Sequence, residues 1–230
     1  MYTNDETKPR DLSTIEKPAV AITVLVFSVS YGKLEILLIK RARDPFKGFW
    51  SIPGDILDID EALEKAAREV LCDKTGISDV YLEQLFTFGE PKRDPRGRVI
   101  AVTYFALLSY DSVDLSKAPS RLHAKWTSVD DLPQELAFDH REIIGYGVGR
   151  LKSKLEYSNI AQGLLPENFR LSELRKIYEV ILNKKLDKRN FIKKMNSLSL
   201  IGPTKKIYRL GNHRPAKLYK FKTKELVTYN

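Results

Sequence analysis

A single cysteine, Cys72, occurs in 230 residues. No internal disulfide can form, and a reducing compartment is the natural setting. Histidine is almost as scarce, and His123, His140 and His213 are scattered with no metal-ligand spacing. Each is therefore assigned a structural or surface role, and Cys72, inside a helical stretch, a packing role. The chain has neither a glycine-rich phosphate loop nor a nucleophile elbow. Residues 1–18 are polar and carry no apolar signal core. The longest near-apolar run, residues 19–30, is too short to span a bilayer and is rich in β-branched residues. These absences exclude a disulfide scaffold and a membrane partner, imply no cofactor, and predict a soluble, cytoplasmic protein.

Charge is plentiful but unevenly placed. Residues 1–150 hold 20 Lys and Arg against 24 Asp and Glu, a net −4, whereas residues 151–230 hold 19 against 6, a net +13. All of the excess positive charge lies in the last third. That asymmetry predicts a nucleic-acid-binding module attached to a neutral or acidic one.

The chain divides into a polar arm (1–17), a mixed α/β domain (18–155) and a basic C-terminal domain (156–230). Residues 19–29 and 33–40 are apolar and β-prone around Ser30, Tyr31 and Gly32, which predicts a buried hairpin. RARDPFKGFWSIPG reads as a loop. A helix is predicted from about Asp60 to Thr75, with Ala62, Leu63, Ala66, Val70 and Leu71 as its apolar stripe. Strand-like runs follow at VYLEQLFTFG, VIAVTYFALLSY and HAKWTSV, and another helix covers Asp139 to Tyr157, its three glycines predicting a break or close packing.

The stretch Gly54–Ile77, GDILDIDEALEKAAREVLCDKTGI, resembles the frame of a Nudix box. That frame runs Gly, five residues, Glu, seven residues, then Arg-Glu-aliphatic-any-Glu-Glu-any-Gly-aliphatic. Its last three glutamates share one helical face and can hold a divalent ion against a diphosphate. Aligned on Gly76, those positions are Val70, Asp73 and Lys74, and Asp55 replaces the first glycine. Valine offers no ligand, and a lysine ammonium repels a cation. A register one residue earlier keeps Gly54 and Arg68-Glu69 but puts Thr75 at the glycine. The first is preferred because Gly76 then sits at a left-handed helix stop. Neither restores three carboxylates, so a non-enzyme is predicted. The alternative is a Mg²⁺-dependent nucleoside-diphosphate-sugar hydrolase with a basic appendage, using Glu61, Glu69 and Asp73.

In the basic third, Ser172 is a candidate N-cap for a helix whose Leu174, Ile177, Tyr178, Ile181 and Leu182 form one apolar face. Asn183, Lys184 and Lys185 end it. Asp187 caps a second helix, DKRNFIKKMNSL, with Phe191, Met195 and Leu198 on one side and basic residues on the other. Two β-prone runs around Gly211 and Asn212 then predict a hairpin. Two helices and a basic hairpin make a winged helix-turn-helix. Its second helix can enter the major groove, with His213 and Arg214 at the hairpin tip touching backbone or minor groove.

KRARDPFKGFWSIPG with the eroded box, FGEPKRDPRGRVIAVTYFALL, LLPENFRLSELRKIYEVILNKKLDKRNF and RPAKLYKF together resemble the Nudix-related transcriptional regulators, which include repressors of NAD metabolism and regulators of sugar use. The resemblance covers roughly residues 18 to 223. It implies a Nudix-fold sensor fused to a winged helix, acting as a homodimer on palindromic double-stranded DNA, usually as a repressor. It also implies a nucleotide or sugar effector such as ADP-ribose. Carried onto this chain, the DNA-binding helix residues are Lys188, Arg189, Asn190, Lys193 and Lys194; His213, Arg214 and Lys217 of the basic hairpin are further DNA-binding candidates from the residue pattern. A phosphate-bearing effector needs cations and an aromatic platform, for which the loops offer Arg41, Arg93, Arg96 and Arg98 beside Phe46 and Trp50, although KRDPRGR reads equally as an exposed hairpin turn. Asp55 disfavours a phosphate nearby, which leaves a sugar or unphosphorylated ligand open.

Overall fold

The computed structural model describes residue 13 and residues 16–77, 80–112, 123–208 and 215–229. β1 (Ala19–Ser30) and β2 (Lys33–Lys40) form an antiparallel hairpin, with Phe27 opposite Ile36 and Ser30 opposite Lys33. Its two turn residues, Tyr31 and Gly32, both have positive φ, 45° and 77°, the hand that matches the twist of the flanking strands. Five further pairings build the seven-stranded main sheet around this hairpin. β1 runs parallel to β6 (Val99–Leu107) over its length, and β5 (Tyr81–Phe88) is antiparallel to β6. β7 (Lys125–Ser128) extends the far side of β2. The stretch read as a loop contributes two short strands, β3 (Trp50–Ser51) on β2 and β4 (Gly54–Ile56) on β1. Two or three residues are too few to show alternation, and pairing partners supply what local sequence does not.

The sheet is covered on both faces, which is why β1 is apolar almost throughout. Ile22, Val24 and Val26 pack with Ala66, Ala67, Val70 and Leu71 of α1 (Leu63–Thr75). Leu25 and Phe27 pack with Ile143, Ile144 and Leu151 of α2 (His140–Tyr157). The result is an α/β/α sandwich.

Several local expectations are corrected. α1 starts at Leu63 rather than near Asp60, because the Glu61 N–H donates to the Asp58 carbonyl in a preceding turn and Ala62 is extended. Ala62 and Leu63 are exposed, so the packing stripe begins at Ala66. Gly76 does stop the helix in the left-handed region, φ 72°, its N–H donating to the Cys72 carbonyl at 2.7 Å. α2 is unbroken by its glycines. A Cβ on Gly147 would lie 2.4 Å from Leu25 Cδ1, so this glycine permits close approach of helix and sheet.

After α2, a 3-10 turn (Ile160–Leu164) leads to α3 (Leu171–Leu182), α4 (Lys188–Ser197) and the hairpin β8 (Ile201–Tyr208) and β9 (Ala216–Phe221). Ser172 lies inside α3. The Glu173 carboxylate reaches back to accept from the Arg170 N–H at 2.7 Å, and this capping contact starts the helix earlier than a serine cap would. Asn183, φ 49°, ends α3, and the Asp187 carboxylate accepts from the Asn190 N–H at 2.8 Å to cap α4. Leu174, Ile177, Ile181, Phe191, Met195 and Ile201 belong to the same buried cluster as Leu34, Ile36 and Leu151. One core thus runs from the α2 face of the sheet into the C-terminal helices. Among the described residues no helix is long and apolar enough to cross a membrane.

Candidate functional site

The box helix carries its ionisable residues on the outer side of α1. Val70 is 7% exposed and belongs to the core, so this box position faces apolar side chains. Lys74 turns toward β4, where its ammonium donates to Asp55 Oδ2 at 2.6 Å. The two departures from the box pattern therefore neutralise each other, which corrects the expectation that Asp55 alone repels phosphate. Lys65 bridges Glu61 at 3.6 Å and Glu69 at 3.0 Å. Contact with the Glu69 carboxyl, followed by desolvation, raises the Glu61 pKa. Among the described residues no three His, Cys, Asp or Glu side chains converge as a metal-holding group. Cys72 is exposed, not packed, because it lies on the helix face opposite Ala66 and Val70.

A second cluster forms where the β2–β3 loop meets the segment before α2. Phe138, in the left-handed region at φ 53°, stacks edge-on against Phe46 with ring centroids 4.9 Å apart. The Arg41 guanidinium lies 4.7 Å from the Phe138 ring centre, and that of Arg96 lies 5.9 Å away. Arg41 also donates from Nε to the Pro45 carbonyl at 2.8 Å. Burial and then Arg96 lower its pKa, with Asp94, Asp44 and Asp55 opposing, so Asp55 lies within electrostatic reach of this cluster. Two cations flank one aromatic ring.

The other sequence-predicted effector residues are differently engaged. Arg93 is buried and makes a two-pronged ion pair with Asp139 at 2.7 and 2.8 Å, clamping the β5–β6 loop to the start of α2. Arg98 donates to the Gly89 carbonyl at 2.6 Å. Arg96 itself pairs with Asp94 at 2.7 Å. The Trp50 carbonyl accepts from the Ala137 N–H at 2.9 Å, and its ring has the Lys125 ammonium 4.0 Å and the Lys40 ammonium 5.8 Å from its centre. Of the six, the structure brings Arg41, Arg96 and Phe46 together.

His140 supports this region from beneath. It is fully buried, and its Nδ1 accepts from the Ile52 N–H at 3.0 Å, so the ring is neutral. Burial, and then the Arg93 and Arg41 charges, hold its pKa down to about 3. The structural role assigned to His140 from sequence fits this position, whereas the parts played here by Phe138, Asp139 and Lys125 have no signal in the sequence. Phe138 and its neighbours are recognisable only by what they meet across the fold.

The C-terminal module presents a different surface. Lys188, Arg189, Asn190, Lys193 and Lys194 are all exposed on α4, while Phe191 and Met195 on its other face are 6% and 2% exposed. The Phe191 ring sits edge-on to Tyr178 at 5.3 Å, fixing α4 against α3. The Leu186 N–H donates to the partly buried Glu179 carboxylate at 2.9 Å, which sets the turn between the helices. Lys217 is exposed on β9, opposite Ile207 of β8. His213 and Arg214, expected at the hairpin tip, lie outside the described residues.

Comparison with known proteins matches these two surfaces to two modules. Residues 17–146 match the NUDIX domain model, and residues 161–221 match the NrtR DNA-binding winged helix domain. The chain is 36% identical over 212 residues to the ADPR-responsive transcriptional repressor NtrR of Acinetobacter baylyi, covering 91% of this chain and 84% of that one. It is 32% identical over 146 residues to an ADP-ribose pyrophosphatase of Methanocaldococcus jannaschii, covering 62% and 82%. Shewanella oneidensis NrtR in complex with a 27mer DNA superimposes with a TM-score of 0.79 at 34% identity, covering 88% of this chain and 93% of that one. The NUDIX domain of the same protein with ADP ribose gives 0.55 at 33%, covering 62% and 94%. Two modules in the same order, with a relative matched across both, place the chain in the NrtR family, in which a NUDIX domain is joined to a DNA-binding winged helix.

Proposed function

We propose that this protein is a ligand-responsive transcriptional repressor that acts as a homodimer on a palindromic DNA operator. Residues 18–155 serve as the sensor and 156–230 as the DNA-binding domain. The observation that carries the reading is α4, with Arg189, Asn190, Lys193 and Lys194 exposed along one face and Phe191 and Met195 buried on the other. Arg189 and Asn190, in the first turn, have the donors and acceptors that read guanine and adenine edges, and the lysines meet phosphates. The DNA-bound Shewanella relative supports this assignment.

For the sensor, the reading is an effector of the ADP-ribose class, bound without turnover. Arg41 and Arg96 around Phe138 supply charge for a diphosphate and an aromatic surface for a base or sugar. The Lys74–Asp55 pair removes the net negative charge that would oppose it. Val70 and Lys74 at metal-ligand positions are why the box is read as non-catalytic. The continuous core through α2, α3 and α4 supplies the route by which ligand binding reorients the DNA-binding helices, so that only one state spans two half-sites.

Fluorescence anisotropy with duplex from upstream of the protein's own gene tests the assignment. Wild type binds it in preference to a scrambled duplex, with affinity falling steeply as salt rises. Arg189→Ala with Asn190→Ala removes that preference. Equal affinity of wild type for both duplexes contradicts the proposal.

A further inference from the structure

A cavity of about 320 Å³ lies between the tip of the β1–β2 hairpin, α2 and the end of α3. Five lysines from separate segments line it: Lys33 on β2, Lys152 on α2, Lys176 on α3, and Lys184 and Lys185 in the turn that follows. The facing carboxylates are Asp130 and Glu179, and Glu179 is already engaged by the Leu186 N–H at 2.9 Å. Among the described residues none of the five ammonium groups has a carboxylate within 4.0 Å. The Lys176 ammonium lies over the hairpin turn, where a Cβ on Gly32 would be 3.4 Å from it.

Lys185 and Lys176 lie close enough to Glu179 to help lower its pKa, yet five ammonium groups face two carboxylates, and a multivalent anion is the ligand that relieves this excess of positive charge. The cavity is at the small end of the range for ligand pockets. Val148 and Val180 give it an apolar wall that suits a short organic body beside the charged group. Its position has a consequence for DNA. Lys184 and Lys185 lie within three residues of Asp187, the cap of α4, whereas Lys33 and Lys152 belong to the domain proposed as the sensor. An anion held by both sets fixes the DNA-reading helix relative to the sheet.

We propose that this lysine-lined cavity is a second small-molecule site, separate from the arginine and phenylalanine cluster, which takes a compact phosphate-bearing metabolite and couples it to the orientation of α4. Inorganic pyrophosphate is the probe, titrated calorimetrically into the full chain without DNA. The expected result is saturable binding that Lys152→Gln with Lys176→Gln weakens at least tenfold and that survives Arg41→Gln with Arg96→Gln. If circular dichroism shows that the first lysine variant does not fold, Lys33→Gln with Lys185→Gln replaces it. Absence of saturable binding, binding indifferent to the lysines, or binding lost with the arginines overturns the proposal. Loss of operator affinity in the lysine variant, with no pyrophosphate bound by wild type, assigns these ammonium groups to the DNA backbone and also overturns it.

Discussion

Replacing His140 by Asn should remove a defined part of the protein's acid sensitivity. The imidazole is neutral and fully buried, with its pKa lowered from an ordinary 6.5 to about 3. An unfolded chain takes up a proton on this ring below pH 6.5, whereas the folded chain does not until about pH 3. Stability from this residue is therefore complete above pH 6.5 and falls as pH drops through the window between the two values. Each pH unit inside that window costs about 1.4 kcal/mol, so lowering pH from 7.5 to 5.0 removes about 2 kcal/mol through His140 alone. Asparagine does not titrate, and its side-chain oxygen can accept from the Ile52 N–H in place of Nδ1. Urea unfolding of wild type and His140→Asn at pH 7.5 and 5.0 measures the difference. Carboxylates common to both proteins cancel, and wild type should lose about 2 kcal/mol more. Equal losses would refute the argument, because they would mean that His140 accepts a proton in the folded state as easily as in the unfolded one.

Three further outcomes follow from particular contacts. Gly147→Ala places a methyl 2.4 Å from Leu25 Cδ1; it should destabilise by about 1–3 kcal/mol in chemical denaturation despite better helix propensity. Asp187→Ala removes the cap contact to the Asn190 N–H; it should cost about 1 kcal/mol and weaken operator binding. Lys193→Ala should weaken specific and scrambled DNA alike and lower the slope of log affinity against log salt by about one, measured by anisotropy at several salt concentrations.

What could be read in the sequence depended on the range of the interaction involved. The β1–β2 hairpin is announced by Tyr31-Gly32 between two apolar runs, and the α4 start by Asp187. Both are local signals that the structure reproduces. The Gly76 stop likewise fixes the register of the eroded box. The parallel pairing of β1 with β6 joins residues about eighty positions apart and has no local signature. For the same reason the aromatic and arginine candidates were sorted only by the fold. Arg93 meets Asp139 and is buried, whereas Arg41 and Arg96 meet Phe138, which no motif marks. Asp55 looked like an obstacle to phosphate until the fold brought Lys74 to it across nineteen residues.

Control of winged-helix DNA binding by a ligand in the NUDIX domain, without chemistry, is the proposal. It is tested most directly by titrating ADP-ribose into the full chain on its own upstream duplex, in EDTA, with anisotropy reporting the complex and chromatography reporting AMP. Saturable release of specific DNA is expected, with no AMP formed either there or when Mg²⁺ is restored. Operator affinity indifferent to ADP-ribose, together with Mg²⁺-dependent AMP release, would contradict it.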